Sequence, residues 1–180
     1  MSKNSVSYHV SSDDLQRAVP GSVWLRYPDI KRFGNVDALL SSSAISVIFV
    51  LYLVDSSDSG HWTTLLRDTS GKICFCDPYG LCVDSELAFI SAKKRRELDE
   101  TAPLLLSLLV AGSQEEQWEF NSFDLQSKNP KDQTCGRYAI LRALRRDLDS
   151  NGFVQWMKEE AKKDNNFDLC SVRLTEPYLN

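Results

Sequence analysis

Three residue types that can cooperate in nucleophilic catalysis occur in order along this chain: His61, Asp77 and Cys135. A cysteine attacks as its thiolate, and an imidazole can take the thiol proton and later return it to a leaving group. A carboxylate behind the imidazole orients the ring and stabilises its charged form. The chain has only one other histidine, His9, which lies in a polar N-terminal segment and is expected to be a solvated surface residue.

The spacing of His61 and Asp77 fits a hairpin that would bring the two side chains together. His61 opens one strand-like run, and Asp77 directly follows a second one. The trio Thr69–Gly71 between the runs suits a three-residue loop whose last position has a positive φ. In that register Thr63 faces Asp77, so His61 and Asp77 are diagonal neighbours on one face of the sheet. A two-residue loop would instead place them on opposite faces.

The candidate nucleophile stands in Thr134-Cys135-Gly136, where an amphipathic helix is expected to begin. The positive end of the helix dipole lowers the pKa of a thiol at this position and favours the thiolate. Gly136 would let a neighbouring backbone approach closely. A free cysteine is also commonly a small apolar core residue, so the helix start alone leaves both interpretations of Cys135 open.

The hydrophobic pattern predicts an α+β domain with a mostly antiparallel central sheet and helices on its faces. The expected strands are Ser46–Val54, His61–Asp68, Lys72–Cys76 and Gln117–Phe123, with Asp55–Gly60 as a loop after the first. The expected helices are one capped by Ser12, one from Asn35 to Leu40, Asp84–Ile90, Lys93–Glu100, Pro103–Ala111 before a stop at Gly112, Cys135–Leu148, and a last one capped by Asn151.

Composition is that of a folded domain. The 180 residues are 42% hydrophobic and 26% charged, with a net charge of −4, and no linker divides them, so we expect a single domain over residues 1–180. The longest apolar stretch, Ala44–Val54, is too short to span a bilayer. The N-terminus has no apolar core and the five cysteines are an odd number, so we expect no secretory signal and a reducing compartment.

Other kinds of site are less well supported. A zinc site would need Cys74, Cys76 and Cys82 with His61 or Cys170, but the cysteines lack two pairs at zinc-knuckle spacing, so no metal or cofactor is expected. The chain has no phosphate-binding Gly-Lys motif and no Gly-x-Ser-x-Gly elbow, which excludes the nucleotide-hydrolase, kinase and serine-hydrolase classes.

Two groups of basic residues leave a binding role open. They are Lys93–Arg96 and the set Arg137, Arg142, Arg145 and Arg146. Basic residues on helices with acids nearby usually form solvated faces, and a mildly acidic chain is a poor candidate for a dedicated nucleic-acid binder. A weak nucleic-acid contact would be salt-dependent.

From about Val47 to Leu144 the sequence resembles the adenain-like cysteine proteases, the maturation proteases of adenoviruses and virophages, which are distantly related to SUMO-removing peptidases. The motifs that carry this resemblance are His61-Trp62, Phe75-x-Asp77-Pro78-Tyr79-Gly80, a later Gln126, and Thr134-Cys135-Gly136. The family's glutamine usually lies closer to the cysteine than the nine residues that separate Gln126 from Cys135.

The resemblance implies an adenain-like fold and a role for each matching residue. Cys135 would be the nucleophile, His61 the general base, Asp77 the group that orients the imidazole, Gln126 the side-chain donor to the oxyanion, and Trp62 an aromatic beside the site. The implied activity is endopeptidase cleavage of viral capsid precursors after small residues such as glycine. A peptide or nucleic-acid activator and a location in the virion or the host cytoplasm are also implied, with no membrane partner.

Two alternatives remain open from the sequence. A peptidase acting on the Gly-Gly tails of ubiquitin-like proteins would use the same residues. A catalytically inactive relative that serves only as an interaction domain would keep the fold without the chemistry.

Overall fold

The computed structural model describes residues 3–112 and 118–180, which form a five-stranded sheet with helices on both faces. The strands, in sheet order, are β1 (Val23–Arg26), β2 (Val47–Ser56), β3 (Ser59–Arg67), β4 (Ile73–Cys76) and β5 (Trp118–Phe120). The α+β class is therefore confirmed.

The sheet is mixed, so the expectation of a mostly antiparallel sheet is met only in part. The pairings β2–β3 and β3–β4 are antiparallel, whereas β1–β2 and β4–β5 are parallel. The antiparallel pairs are hairpins whose strands follow one another directly, so local loops favour them. The two edge strands reach the sheet through long crossovers that contain helices, and crossovers of that kind allow parallel pairing.

The α-helices are α1 (Ser12–Ala18), α2 (Val36–Leu40), α3 (Ala92–Glu97), α4 (Leu104–Gly112), α5 (Cys135–Leu144), α6 (Ser150–Ala161) and α7 (Phe167–Leu179). Two 3₁₀ helices, Tyr27–Arg32 and Ser85–Phe89, complete the regular structure. No helix within the described parts of the chain is both long and apolar enough to cross a membrane.

Several predicted boundaries need correction at the helix caps. Asn35 caps α2 as expected. The cap of α1 is Ser11 rather than Ser12, because Ser11 and Asp14 form a reciprocal capping box. The cap of α6 is Asp149 rather than Asn151, and its carboxylate accepts from Gly152 N at 2.6 Å.

Three other segments differ from expectation. The Asp55–Gly60 loop is a tight hairpin, since β2 runs to Ser56 and β3 restarts at Ser59. Helix α5 ends at Leu144, where Arg142 donates to the carbonyls of Arg145 and Leu148. Helix α7 was not predicted.

The middle of the chain matches expectation only in part. Asp84–Ile90 is the shorter 3₁₀ helix, and Lys93–Glu100 is the shorter α3. The predicted strand over Gln117–Phe123 is β5, with Gln117 outside the described residues. Gly112 is still helical, and the residues that follow it also lie outside the described part of the chain.

Strand β2 divides the core between the two faces of the sheet. Ile48, Val50 and Tyr52 pack with α2, α4 and the 3₁₀ helices, whereas Val47, Phe49, Leu51 and Leu53 pack with α1 and α5. Every one of these seven side chains is buried, which explains the near-continuous apolar run in the sequence. Helix α5 packs directly on β3, on the face of the sheet that carries Trp62 and Leu66.

Candidate active site

The side chains of His61 and Asp77 meet as the hairpin register predicts. Arg67 pairs with Ile73 and Thr64 with Cys76, so the same register continued places Thr63 opposite Asp77. His61 Nε2 lies 3.0 Å from Asp77 Oδ1, and both side chains are buried. A hydrogen bond between this nitrogen and the carboxylate leaves Nδ1 as the nitrogen free to serve the thiol.

A rigid turn after β4 holds Asp77 in place. Asn121 accepts from the Asp77 N–H at 2.9 Å and donates to its carbonyl at 2.7 Å. Asp77 Oδ1 also accepts from Tyr79 N at 2.8 Å. Gly80 closes the turn with a φ of +70°, and a Cβ there would lie 2.7 Å from the Phe123 carbonyl carbon. Only glycine fits this corner without displacing backbone.

Cys135 begins helix α5, so its backbone N–H has no partner within the helix. The residue is 8% exposed, and its thiol lies near enough to the imidazole of His61 to raise that ring's pKa. Gly136 allows a close approach, as expected, but of a side chain: a Cβ there would lie 2.5 Å from Val10 Cβ. The N-terminal segment therefore packs against the first turn of α5, next to Cys135.

The environment of His61 favours its charged form. Burial of the ring opposes protonation, but the carboxylate of Asp77 and the thiol of Cys135 outweigh burial and raise the pKa of His61 well above its usual value. A raised histidine pKa beside a cysteine favours the thiolate–imidazolium pair.

Burial raises the pKa of three other cysteine thiols in the chain. The pKa of Cys74 and of Cys76 rises to about 12, and that of Cys170 to about 11. Those three are therefore held as unreactive thiols.

Two residues that the sequence analysis did not assign to the site contact the imidazole. The ring of Tyr79 stacks on that of His61, with the centroids 4.8 Å apart. Glu86, on the 3₁₀ helix Ser85–Phe89, places Oε1 3.6 Å from His61 Nε2. Tyr79 could have been found from the sequence, because the hairpin register places it directly opposite His61. No sequence signal pointed to Glu86.

Gln126 lies beside the site, with its amide hydrogens committed to other groups. Its side chain is buried, and Nε2 lies 3.3 Å from the hydroxyl of Tyr79 and 3.1 Å from the carbonyl of Asp132. Its Oε1 has no partner. Gln133, by contrast, lines the same groove as Cys135 and donates from Nε2 to Pro130 O at 2.7 Å. Tyr79 therefore contacts both residues, because its ring stacks on His61 and its hydroxyl accepts from Gln126.

A buried carboxylate ties this loop to the start of α5. Asp168 on α7 accepts from the Thr134 hydroxyl, from Ser127 N at 2.9 Å and from the Tyr138 hydroxyl at 3.3 Å. The segment that carries Gln126 and the first turn that carries Cys135 therefore share one anchor.

A groove of about 390 Å³ leads to Cys135. Trp62 lines it, donates from Nε1 to Val10 O at 3.0 Å and packs edge-on against Trp24 at 6.1 Å between ring centroids. His9 is exposed, as expected, but its side chain also lines this groove. The groove therefore has an aromatic wall from the sheet and a second wall from the N-terminal segment.

Three potential metal ligands, His61, Asp77 and Glu86, lie within 4.8 Å of one another, and within the described residues this is the only such group. It does not include the cysteines, so the zinc arrangement built from Cys74, Cys76 and Cys82 is not formed. Within this group, His61 and Asp77 share the hydrogen bond at 3.0 Å.

The second basic group is not a surface patch. Arg137 and Arg142 are almost fully buried, and their guanidinium groups donate to protein carbonyls and to the Thr175 hydroxyl. Arg145 pairs with Asp147. Arg137 and Arg142 fasten α5 to the N-terminal segment and to the turn after α5, so these two arginines do not belong to a solvated face.

No known protein-family model matches the chain. Over 151 residues it is 26% identical to Uncharacterized protein V9 of Sputnik virophage, an alignment that covers 84% of this chain and 78% of that protein. The similarity connects the chain to a viral protein whose name states no activity.

Proposed function

We propose that this protein is a cysteine endopeptidase of the adenain-like class, with Cys135 as nucleophile, His61 as general base and acid, and Asp77 as the group that orients the imidazole. The observation that carries the proposal is the position of His61. Its ring is hydrogen-bonded to a buried carboxylate at 3.0 Å, and it lies near enough to the thiol of a cysteine at the start of a helix for that thiol to raise its pKa. A His-Cys pair with an orienting acid is the geometry that nucleophilic acyl transfer needs.

The reaction proceeds in two halves. His61 takes the thiol proton, and the thiolate of Cys135 adds to the carbonyl carbon of the scissile peptide bond. The imidazolium donates its proton to the leaving amine as the C–N bond breaks, which leaves an acyl group on the sulfur. Water then adds to the thioester while His61 accepts its proton. The thiol is restored when the C–S bond breaks and the carboxylate product departs.

The tetrahedral intermediates carry negative charge on oxygen, which must meet donors already in place. The backbone N–H of Cys135 supplies one donor, because the first residue of a helix has no intrahelical acceptor. Gln126 would supply the second by exchanging its bond to Tyr79 or to Asp132 for one to the oxyanion. The lone buried oxygen of its amide supports an active role, since a purely structural amide usually satisfies both ends.

The groove beside Cys135 supports a substrate with small residues before the scissile bond. Trp24 and Trp62 form its aromatic wall, and Val10 closes the other side. A groove selects glycine when its walls leave no room for a side chain. Together with similarity to a virophage protein, this supports a viral capsid precursor as substrate and action in the virion or the host cytoplasm.

The test is cleavage of capsid precursor and of a fluorogenic Gly-x-Gly peptide by the wild type and by matched pairs of variants. Cys135→Ala and His61→Ala should abolish cleavage, whereas Cys76→Ala and His9→Ala should retain it. Full activity in Cys135→Ala or His61→Ala would overturn the proposal.

Conjugates of ubiquitin-like proteins serve as the second substrate in the same assay. Cleavage of these conjugates alone would favour the tail-peptidase alternative. No cleavage of either substrate, with no labelling of Cys135 by a thiol-directed inhibitor, would favour an inactive interaction domain.

A further inference from the structure

A second recess lies against the imidazole, away from the residues that line the groove of Cys135. Its volume is about 350 Å³, and its lining residues are Tyr79, Leu81, Glu86, Phe89 and Lys128. It shares no lining residue with the groove of Cys135. Two of its residues, Tyr79 and Glu86, are the ones that contact the ring of His61, so the recess is continuous with the candidate active site.

Phe89 makes this recess unusual. The side chain is 73% exposed, the highest value among the large apolar side chains of the described residues, although its neighbours Leu87 and Ile90 are buried. The 3₁₀ helix that carries it is firmly anchored, because Asp84 accepts from the Tyr52 hydroxyl at 2.8 Å and from Leu106 N at 2.9 Å. The Phe89 ring is therefore held at a fixed place on the wall of the recess.

The rim of the recess is polar and nearly neutral. The ammonium of Lys128 pairs with Asp124 at 2.9 Å, and Glu86 turns its carboxylate toward His61. Both charged residues at the rim therefore have partners of opposite charge. The side chains of Leu81 and Phe89 supply the apolar surface of the recess. An apolar floor of this kind fits an apolar side chain better than a charged one.

The chemistry of the proposed reaction decides which part of a substrate reaches this recess. His61 must protonate the leaving amine, so the chain on the leaving-group side passes over the imidazole. The acyl side stays on Cys135 and occupies the other groove. Resting on the proposed function, we propose that Leu81 and Phe89 form a subsite for an apolar side chain of the peptide substrate on the leaving-group side of the scissile bond.

The experiment compares two fluorogenic peptides that are identical up to the scissile bond and carry either Phe or Ala in the leaving group. Burial of a large apolar side chain predicts a kcat/KM roughly tenfold higher for the Phe peptide. Phe89→Ser and Leu81→Ser should each reduce the ratio of kcat/KM between the Phe and the Ala peptide. Val110→Ser, which alters a 64% exposed apolar residue on α4 outside the recess, should keep the full preference.

Binding of the same intact peptides to Cys135→Ala, followed by fluorescence anisotropy, separates this proposal from the proposed function. If wild type cleaves neither peptide but the Phe peptide binds more tightly in a Phe89-dependent way, the subsite stands and the protease assignment fails. Cleavage with no preference for Phe, or a preference that survives both Phe89→Ser and Leu81→Ser, would overturn the subsite. Absence of both cleavage and binding would overturn both.

Discussion

The imidazole of His61 lies nearly parallel to the phenol ring of Tyr79, with 15° between the ring planes and 4.8 Å between their centroids. The Tyr79 hydroxyl in turn accepts from the Gln126 amide at 3.3 Å. One side chain therefore holds the plane of the candidate base and contacts the candidate oxyanion donor. Stacked aromatic pairs contribute about 0.5–1.5 kcal/mol beyond the area they bury.

Tyr79→Leu tests this positioning role. Loss of the stacked ring should lower kcat about threefold to tenfold through a less well-oriented imidazole, whereas Tyr79→Phe keeps the ring and should lose less. Steady-state kinetics with circular dichroism on both variants checks the expectation. Equal activity in Tyr79→Leu and wild type would show that the stack does not position His61.

Asp77→Asn should move the alkaline limit of activity to lower pH. The carboxylate raises the pKa of His61, so its removal lets the imidazolium lose its proton earlier as the pH rises. The thiolate–imidazolium pair is lost above the pKa of His61, and the alkaline limb of kcat/KM follows it. The variant should also lose less activity than His61→Ala. An unchanged alkaline limb would contradict the role given to Asp77.

Gln126→Ala should lower kcat by roughly a hundredfold to a thousandfold with little change in KM, as loss of one oxyanion donor does. Gln133→Ala is the matched control, because this residue lines the groove of Cys135 but donates to Pro130. The two variants are compared by steady-state kinetics and thermal unfolding. A larger loss of kcat in Gln133→Ala would assign the donor role to Gln133.

A buried glutamate outside the site makes the stability of the fold pH-dependent. Glu100 is fully buried, accepts from Leu53 N at 2.8 Å through Oε1, and leaves Oε2 without a partner. Burial raises its pKa from 4.5 to about 7. Between these values the folded protein keeps a proton that the unfolded chain releases, so stability falls as the pH rises through this window and stays lower above it.

Glu100→Gln mimics the protonated form and should stabilise the fold at pH 8.5 by about 1–3 kcal/mol relative to wild type, with a smaller effect at pH 5. Glu97→Gln, on the exposed face of α3, serves as the control. Urea unfolding at both pH values gives the free energies. The expectation fails if Glu100→Gln is no more stabilising at pH 8.5 than at pH 5.

The part of the site that the sequence predicts is the part governed by local geometry. The loop Thr69–Gly71 sets the register of one hairpin, and that register alone brings His61 and Asp77 together. The helix start at Cys135 follows equally from a short pattern. The position of Glu86 could not be predicted in this way. It depends on the left-handed backbone conformation of Asp84 and on the 3₁₀ helix that follows, and no short sequence pattern indicates either.

The same reasoning explains what was wrong about the fold. Parallel pairing of β1 and β5 depends on contacts between segments far apart in sequence, which no local pattern reports. Helix α7 has a proline, Pro177, near its end and a weak apolar stripe. The N-terminal segment looked polar and solvated, but Val10 packs on Gly136 and forms a wall of the groove.

Alkylation of individual cysteines tests the central claim, that His61 activates Cys135, without any substrate. Iodoacetamide is added at pH 7, and the rate at each cysteine is followed by peptide mass mapping. Cys135 should react fastest in wild type, while Cys74, Cys76 and Cys170 stay protected by burial and raised pKa values. His61→Ala should slow Cys135 at least about tenfold by removing the partner of the thiolate, and His9→Ala should not. A rate at Cys135 that is the same in His61→Ala as in wild type would contradict the account.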